Sequence, residues 1–236
     1  MSTTSATPSQ PRFLMLVACL FTGALIVSNI VAIKIANFSG LSGPIDEYFL
    51  PAAVVVFPLS YIIGDILTEV YGYQAARRVI WSAFLANALA VVAIVIAQDV
   101  PAAPFWKDQA AYDAILGQTW RIVGASFAAF LVGEFTNSIV LARMKVATRG
   151  RFLWSRTIGS TIVGEGLDSL IFITIAFAGR DGVTLWPLIW KQWLFKVLFE
   201  TVFTPVTYVV VTALKRLEGM DVYDDDTDLN PVAFWQ

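Results

Sequence analysis

An all-α membrane protein with six transmembrane helices and cytoplasmic N- and C-termini is the fold this sequence predicts. Three observations predict it. Of 236 residues, 57% are hydrophobic and only 14% charged, whereas a soluble domain is about 45–50% apolar and about 25% charged. Six stretches reach the roughly 20 apolar residues needed to cross a bilayer about 30 Å thick. Basic residues then gather in the loops on one side of those stretches.

Each element can be justified in turn. Residues 1–12, "MSTTSATPSQPR", are polar and are expected to form a disordered cytoplasmic N-terminus. The first span, 13–36, is too long for a signal-peptide core and lacks a small-residue cleavage site, so it is read as retained. The second, 50–70, has the weakest hydropathy because Asp65 and Glu69 fall near its end. The third is 79–98. After it, "PFWKDQAAYD" at 104–113 suits either a short helix lying on the outer surface or a plain connecting loop. The fourth and fifth spans are 119–142 and 157–178. The sixth, 187–214, is long enough to tilt, and Pro205 offers a kink site. Residues 13–217 therefore form one transmembrane domain, and 218–236, with its "DVYDDDTD", an acidic cytoplasmic tail.

With the N-terminus inside, the cytoplasmic side receives Arg12, Arg77, Arg78, Arg143, Lys145, Arg149, Arg151, Arg156, Lys215 and Arg216, ten of the sixteen basic residues. Lys107 and Arg180 fall on the other side. The tryptophans agree: Trp81 and Trp154 lie at the inner interface, and Trp106, Trp120, Trp186 and Trp190 at or near the outer one.

Composition also excludes chemistry. There is no His and a single Cys, Cys19. Intrachain disulfides, Ser-His and Cys-His catalysis and the common zinc sites are therefore ruled out. No Gly-rich phosphate loop is present. Ile62 stands at the glycine site that an aspartyl intramembrane protease needs ahead of Gly64–Asp65. The chain is expected to be no enzyme, to need no cofactor or metal, and to bind no nucleic acid.

What the spans do carry is charge. Asp65 and Glu69 lie on the second, Glu134 on the fourth, Glu165 and Asp168 on the fifth, and Lys196 and Glu200 on the sixth. Each such group at mid-bilayer costs at least about 2.5–3.5 kcal/mol and marks a site or pathway by default. The i,i+3 and i,i+4 spacings put each pair on one helix face. Aromatic residues share those faces: Phe127 and Phe130 with Glu134 and Asn137, Phe172 with Glu165 and Asp168, Trp193 and Phe203 with Lys196 and Glu200. At a rise of about 1.5 Å per residue, Asp168 and Glu200 sit roughly 16 and 20 Å into their helices. The expectation is a polar cavity between helices. Buried pairs such as Lys196 with Glu165 or Glu200 are the structural alternative, and Glu69, near Arg77 and Arg78, is the strongest candidate for a purely structural role. Gly64, Gly133 and Gly164 read as small residues that let helices approach closely.

Those glycines head three related motifs: "GDILTE" (64–69), "GEFTNS" (133–138) and "GEGLDS" (164–169). The first and third occupy corresponding places in two oppositely oriented three-helix halves, as in inverted-repeat transporters. The second is the better match to the third, yet does not correspond under that symmetry.

The run "FPLSYIIGDILTEVYGYQAARRVIW" (57–81) resembles the queuosine-precursor transporter family, also described as vitamin-uptake-transporter-like. "GEFTNSIVLARMK" (133–145), "TRGRFLWSRTIGSTIVGEGLDSLIF" (148–172) and the Lys196, Glu200, Pro205 pattern extend the resemblance over about residues 13–223. It implies six membrane helices in a bacterial inner membrane and uptake of 7-cyano- or 7-aminomethyl-7-deazaguanine. The residue chemistry suits a small purine-like substrate. A guanine-like edge presents an N–H beside an amine, which an ionised carboxylate accepts as a fork. Glu165 and Asp168 are the first candidates, followed by Glu134, Asn137, Asp65 and Glu200. Asn137, Ser169 or Lys196 can donate to the ring carbonyl, and Tyr61, Phe127, Phe172 or Trp193 can flank the ring. Besides the bilayer and this substrate, a homo-oligomeric partner is left open, as is the choice between proton-coupled and facilitated flux. The competing class is a substrate-binding subunit of a multi-component ATP-driven importer.

Overall fold

A computed structural model describes residues 11–37, 49–117, 120–179 and 184–233. Residues 1–10, which hold most of the expected disordered N-terminus, and Arg180 lie outside them. Among the described residues, six helices are long and apolar enough to cross a membrane. They are α1 (Leu14–Val31), α2 (Ala52–Tyr71), α3 (Tyr73–Asp99), α5 (Trp120–Ala147), α6 (Leu153–Phe177) and α7 (Leu185–Glu218), with a short α4 (Gln109–Leu116) between α3 and α5. The expected span count is met. The ends differ in ways that hydropathy cannot register.

α1 stops at Val31, five residues early, and the chain turns into a strand, β1 (Ile35–Asn37), antiparallel to β2 (Phe49–Pro51) with Ala36 opposite Leu50. Apolar composition says a segment sits in a membrane, but a short apolar run does not say whether it coils or extends. α3 starts six residues earlier than expected, because "YQAARR" continues the helix beyond its apolar part. α7 runs unbroken through Pro205. The surface helix after α3 exists but is shifted to 109–116, and none of its residues is buried.

The second span is the largest surprise. Expected to be the weakest by hydropathy, it has a mean hydropathy of 1.7, above the 1.5 of the spans that hold α5 and α6, and 72% of its best window is buried inside the protein, against 22%, 17% and 22% for α1, α3 and α7. α2 packs on α1, α5 and α7, and around it α1 meets α3, α3 meets α5, α5 meets α6 and α6 meets α7. Its polarity reflects that place, since a helix with protein rather than lipid neighbours can carry acids on several faces. α2 is also irregular. A 3₁₀ turn (Ala52–Val55) leads into α-helix (Phe57–Ile66), which widens into a π-helical turn (Leu67–Tyr71) before Gly72 reverses the chain at φ 80°. Such π turns concentrate at functional sites.

The first residues of α1 and the last of α7 meet on one face, here the terminal face. The Glu218 carboxylate accepts the backbone N–H groups of Arg12 (2.8 Å) and Phe13 (2.7 Å) and the Tyr71 hydroxyl (2.9 Å). This satisfies donors that the start of α1 would otherwise leave open. The segment after Gly219 lies across the same face. Asp224 accepts the Tyr73 N–H, Arg77 donates to the carbonyls of Asp228 (3.1 Å) and Asn230 (2.8 Å), and Trp81 donates to that of Pro231 (2.8 Å).

α5 and α6 form the most extensive helix contact, and its cause is the pair of related motifs. A Cβ on Gly133 would lie 2.7 Å from Asp168 Cβ and 3.2 Å from the Gly164 carbonyl oxygen. One on Gly164 would lie 2.7 Å from Asn137 Cβ and 2.8 Å from the Gly133 carbonyl oxygen. The contacts are reciprocal: each glycine faces the other and the residue four places after it. "GEFTNS" and "GEGLDS" are thus alike because they are the two sides of one antiparallel crossing, where only missing side chains permit this approach. Gly164→Ala is expected to cost about 1–3 kcal/mol by overpacking. A thermal midpoint in detergent equal to that of the unsubstituted protein would count against the crossing.

Candidate functional site

That crossing brings the acids together. Asp65 and Tyr61 come from α2, Glu134 and Asn137 from α5, Glu165 and Asp168 from α6, and Lys196 and Glu200 from α7. All are buried except Asp168, which keeps 14% side-chain exposure. Gly64 makes the room on α2, since a Cβ there would strike Glu134 Oε1.

Two arrangements coexist in the cluster. Lys196 is held by α6: its ammonium bonds Glu165 Oε2 at 2.9 Å and also Asp168, and lies 5.1 Å from the centre of the Tyr61 ring. Tyr61 also lies beside Glu165. This is the Lys196–Glu165 pair anticipated from sequence, with Asp168 added; the Glu200 alternative is not the one adopted. Asn137 donates to Asp65 Oδ1 at 2.6 Å, with Glu200 close enough to act electrostatically on Asp65.

The remaining polar atoms are unpartnered. Both oxygens of Glu134 are buried without a hydrogen bond, as are Asp65 Oδ2, Asn137 Oδ1, Glu165 Oε1 and Glu200 Oε1. The hydroxyls of Ser138, Thr161 and Ser169 join them. Buried polar groups are hydrogen-bonded in the great majority of cases, so a concentration of exceptions at one place makes it the candidate ligand site. Five carboxylates face one ammonium here, so the cluster is rich in acceptors and poor in cations.

Two of the aromatic candidates are otherwise engaged. The Trp193 indole donates to the Ile162 carbonyl at 2.9 Å and pairs with Trp190 at 4.8 Å, tying α7 to α6. Phe172 meets Phe177 edge-on at 6.3 Å, further along α6 than Asp168. Tyr61 is the aromatic side chain in direct contact with the acids. Thr161, four residues before Glu165, shares the face of Glu165 and Asp168 by spacing; Ser138 was not singled out, and its signal was position alone, one residue after Asn137.

Glu69, one turn beyond Asp65, belongs to a separate cluster on the terminal face. Its carboxylate takes a two-bond fork from Arg156 (2.8 and 2.7 Å) and a bond from Lys215 (2.5 Å), with the Lys145 ammonium at 3.7 Å. Lys145 also bonds the Glu69 carbonyl and Asp221, each at 2.6 Å. These are not the expected partners, Arg77 and Arg78; Arg77 donates to carbonyls of the C-terminal segment. Sequence proximity suggested the wrong arginines because the partners come from α5, α6 and α7.

Residues 51–210 match the family model described as "Putative vitamin uptake transporter". A Bacillus subtilis protein named "Probable queuosine precursor transporter" is 25% identical over 189 residues, covering 78% of this chain and 79% of that protein. The Escherichia coli "Queuosine precursor transporter" is 27% identical over 171 residues, covering 68% and 73%. A Haemophilus influenzae protein, also named "Probable queuosine precursor transporter", is 24% identical over 123 residues, covering 52% and 50%. No solved structure matches the chain.

Proposed function

This chain belongs to the vitamin uptake transporter family of queuosine-precursor carriers, and on that premise we propose that it imports 7-deazaguanine bases through the carboxylate cluster between α2, α5, α6 and α7. The observation that carries the proposal is Glu134: a buried carboxylate with both oxygens unpartnered, facing a site where every other acid but Glu200 has a donor. The N–H and amine on a guanine-like edge fit such a fork, and charge-assisted bonds of this kind are the strong ones. The Ser169 hydroxyl, buried without a partner, suits the ring carbonyl, the free Asn137 Oδ1 suits a ring donor, and Tyr61 suits the face of the ring. Asp168, the most exposed acid of the group, is suited to a cationic aminomethyl substituent. Glu165 then serves mainly to hold Lys196 and Tyr61.

The excess of basic residues on the terminal face supports a cytoplasmic terminal face in a bacterial inner membrane, with the acidic segment 218–236 inside. Alternating access follows if the helices part on one face at a time around the buried cluster. A carboxylate that exchanges a proton as base binds would couple the flux to the proton gradient.

Purified protein alone in liposomes is expected to take up 7-cyano-7-deazaguanine, with guanine as a competitor. Failure without added partners would overturn the carrier and favour a binding subunit of a larger importer. Collapsing the proton gradient is expected to abolish accumulation; unchanged accumulation would overturn the coupling.

A further inference from the structure

The terminal face is closed by ion pairs and by the C-terminal segment, whereas the far face has a different kind of closure. Between α1, α3 and α5 lies a cavity of about 40 Å³, reaching from Gln98 and Trp120 at the far end of the bundle to Asn29, Asn87 and Ser126 at its floor. The floor is a bonded triad. Asn29 donates to Asn87 Oδ1 at 3.2 Å, and the Ser126 hydroxyl donates to Asn29 Oδ1 at 3.1 Å. Apolar walls converging on a few amide and hydroxyl groups are the usual make-up of a small-molecule site.

The triad stands above the carboxylates. Ser126 and Glu134 share α5, eight residues or about 12 Å apart. Halfway between, Phe130 packs on Phe21 of α1, ring centres 6.3 Å apart. Phe21 in turn reaches to 3.5 Å of the Cβ position on Gly64, beside Glu134. Two rings therefore separate the far-face cavity from the central acids. α1 and α3, which form its other walls, are largely lipid-facing, with only 22% and 17% of their best windows buried. They have few protein neighbours to resist separation.

We infer that the cavity between α1, α3 and α5 is a second binding station, the first that a planar amide-like base meets on its way in, with Asn29, Asn87 and Ser126 as its polar contacts and Phe21 with Phe130 as the barrier to the carboxylates. The inference rests on the carrier reading above. In the present conformation the cavity has room for a few waters, a single one needing about 10–15 Å³. Seating a bicyclic ring requires α1 and α3 to move apart. The triad suits a neutral base edge because amides offer both donors and acceptors, whereas Glu134 offers acceptors alone.

Cysteine accessibility tests this. Cys19 is the chain's single cysteine and is exposed, so Cys19→Ser gives a thiol-free background. Ser126→Cys, or Val123→Cys one turn away if the first does not reach the membrane, then reports on the cavity. In intact cells a membrane-impermeant thiol reagent is expected to label either position. At ten times its dissociation constant, 7-cyano-7-deazaguanine should slow labelling about tenfold, since mass action leaves about a tenth of the stations free. The same protection is expected with Glu134→Gln added, although uptake is lost. No labelling, or no protection by base in a variant that still transports, overturns the station and leaves the central site standing. Protection that disappears with Glu134→Gln also overturns it, by assigning the effect to the central site. Absence of uptake by the unsubstituted protein would instead remove the carrier reading itself.

Discussion

Glu134→Gln is expected to cut uptake of the deazaguanine bases by more than about 100-fold while leaving the protein at least as stable as before. The two effects separate because of how Glu134 is held. No cation or donor bonds its oxygens, so a neutral amide of the same shape removes a buried charge without breaking a pair. Toward substrate the change is severe. The fork loses one acceptor, and the new amide nitrogen points a donor at a donor. A charged hydrogen bond contributes about 1.5–3 kcal/mol, and forfeiting about 3 kcal/mol corresponds to a little over 100-fold. Uptake rate and thermal midpoint in detergent, measured on the same preparation, check this. Near-normal uptake would remove Glu134 from the site; lost uptake with a lowered midpoint would make it structural.

The second large effect is opposite in kind. Glu69→Gln should deplete folded protein from the membrane and lower the thermal midpoint, because Arg156 would lose the carboxylate it forks onto and Lys145 and Lys215 would be left with Asp221. Breaking a buried ion pair by removing one partner costs about 3–5 kcal/mol, which for a chain of this size lowers the midpoint by roughly 6–20 °C. Any folded fraction should still bind base, since none of this cluster lines the central site. An unshifted midpoint would show that the cluster is not structural. Burial would raise the Asp221 carboxyl, but Lys145 and Lys215 hold it below its ordinary value. Its contribution is therefore fully present above about pH 4, the ordinary Asp value, and is lost as pH falls through the lowered value.

Asp65 and Glu69 show what spacing can and cannot convey. Their i,i+4 separation correctly predicts a shared helix face, and both point toward α5, α6 and α7. Yet one enters the candidate substrate site and the other a cationic clamp, because a single helical turn carries them to different depths. Glu165 and Asp168 make the same point. Sequence ranked them first as ligands, since two acids on one face stand out, but the structure gives both to Lys196, whose position depends on how α7 is rotated. Trp193 was legible as an aromatic beside acids, and not as a donor to a carbonyl of the neighbouring helix.

By itself the sequence determined the six membrane helices, the place of the acids along them and the family, because hydropathy, rise per residue and local motifs are properties of a segment and survive any packing. It also held the two glycine motifs whose likeness needed explaining. Only the tertiary structure decided that the second span is the central one, that "GEFTNS" and "GEGLDS" are halves of one crossing, and that Glu134 is left with both oxygens unpartnered. In a bilayer, lipid-facing and protein-facing surfaces are both apolar, so periodicity does not report which way a helix turns. Contacts among helices fix that rotation, and with it the division of the buried acids between holding the bundle and binding a ligand.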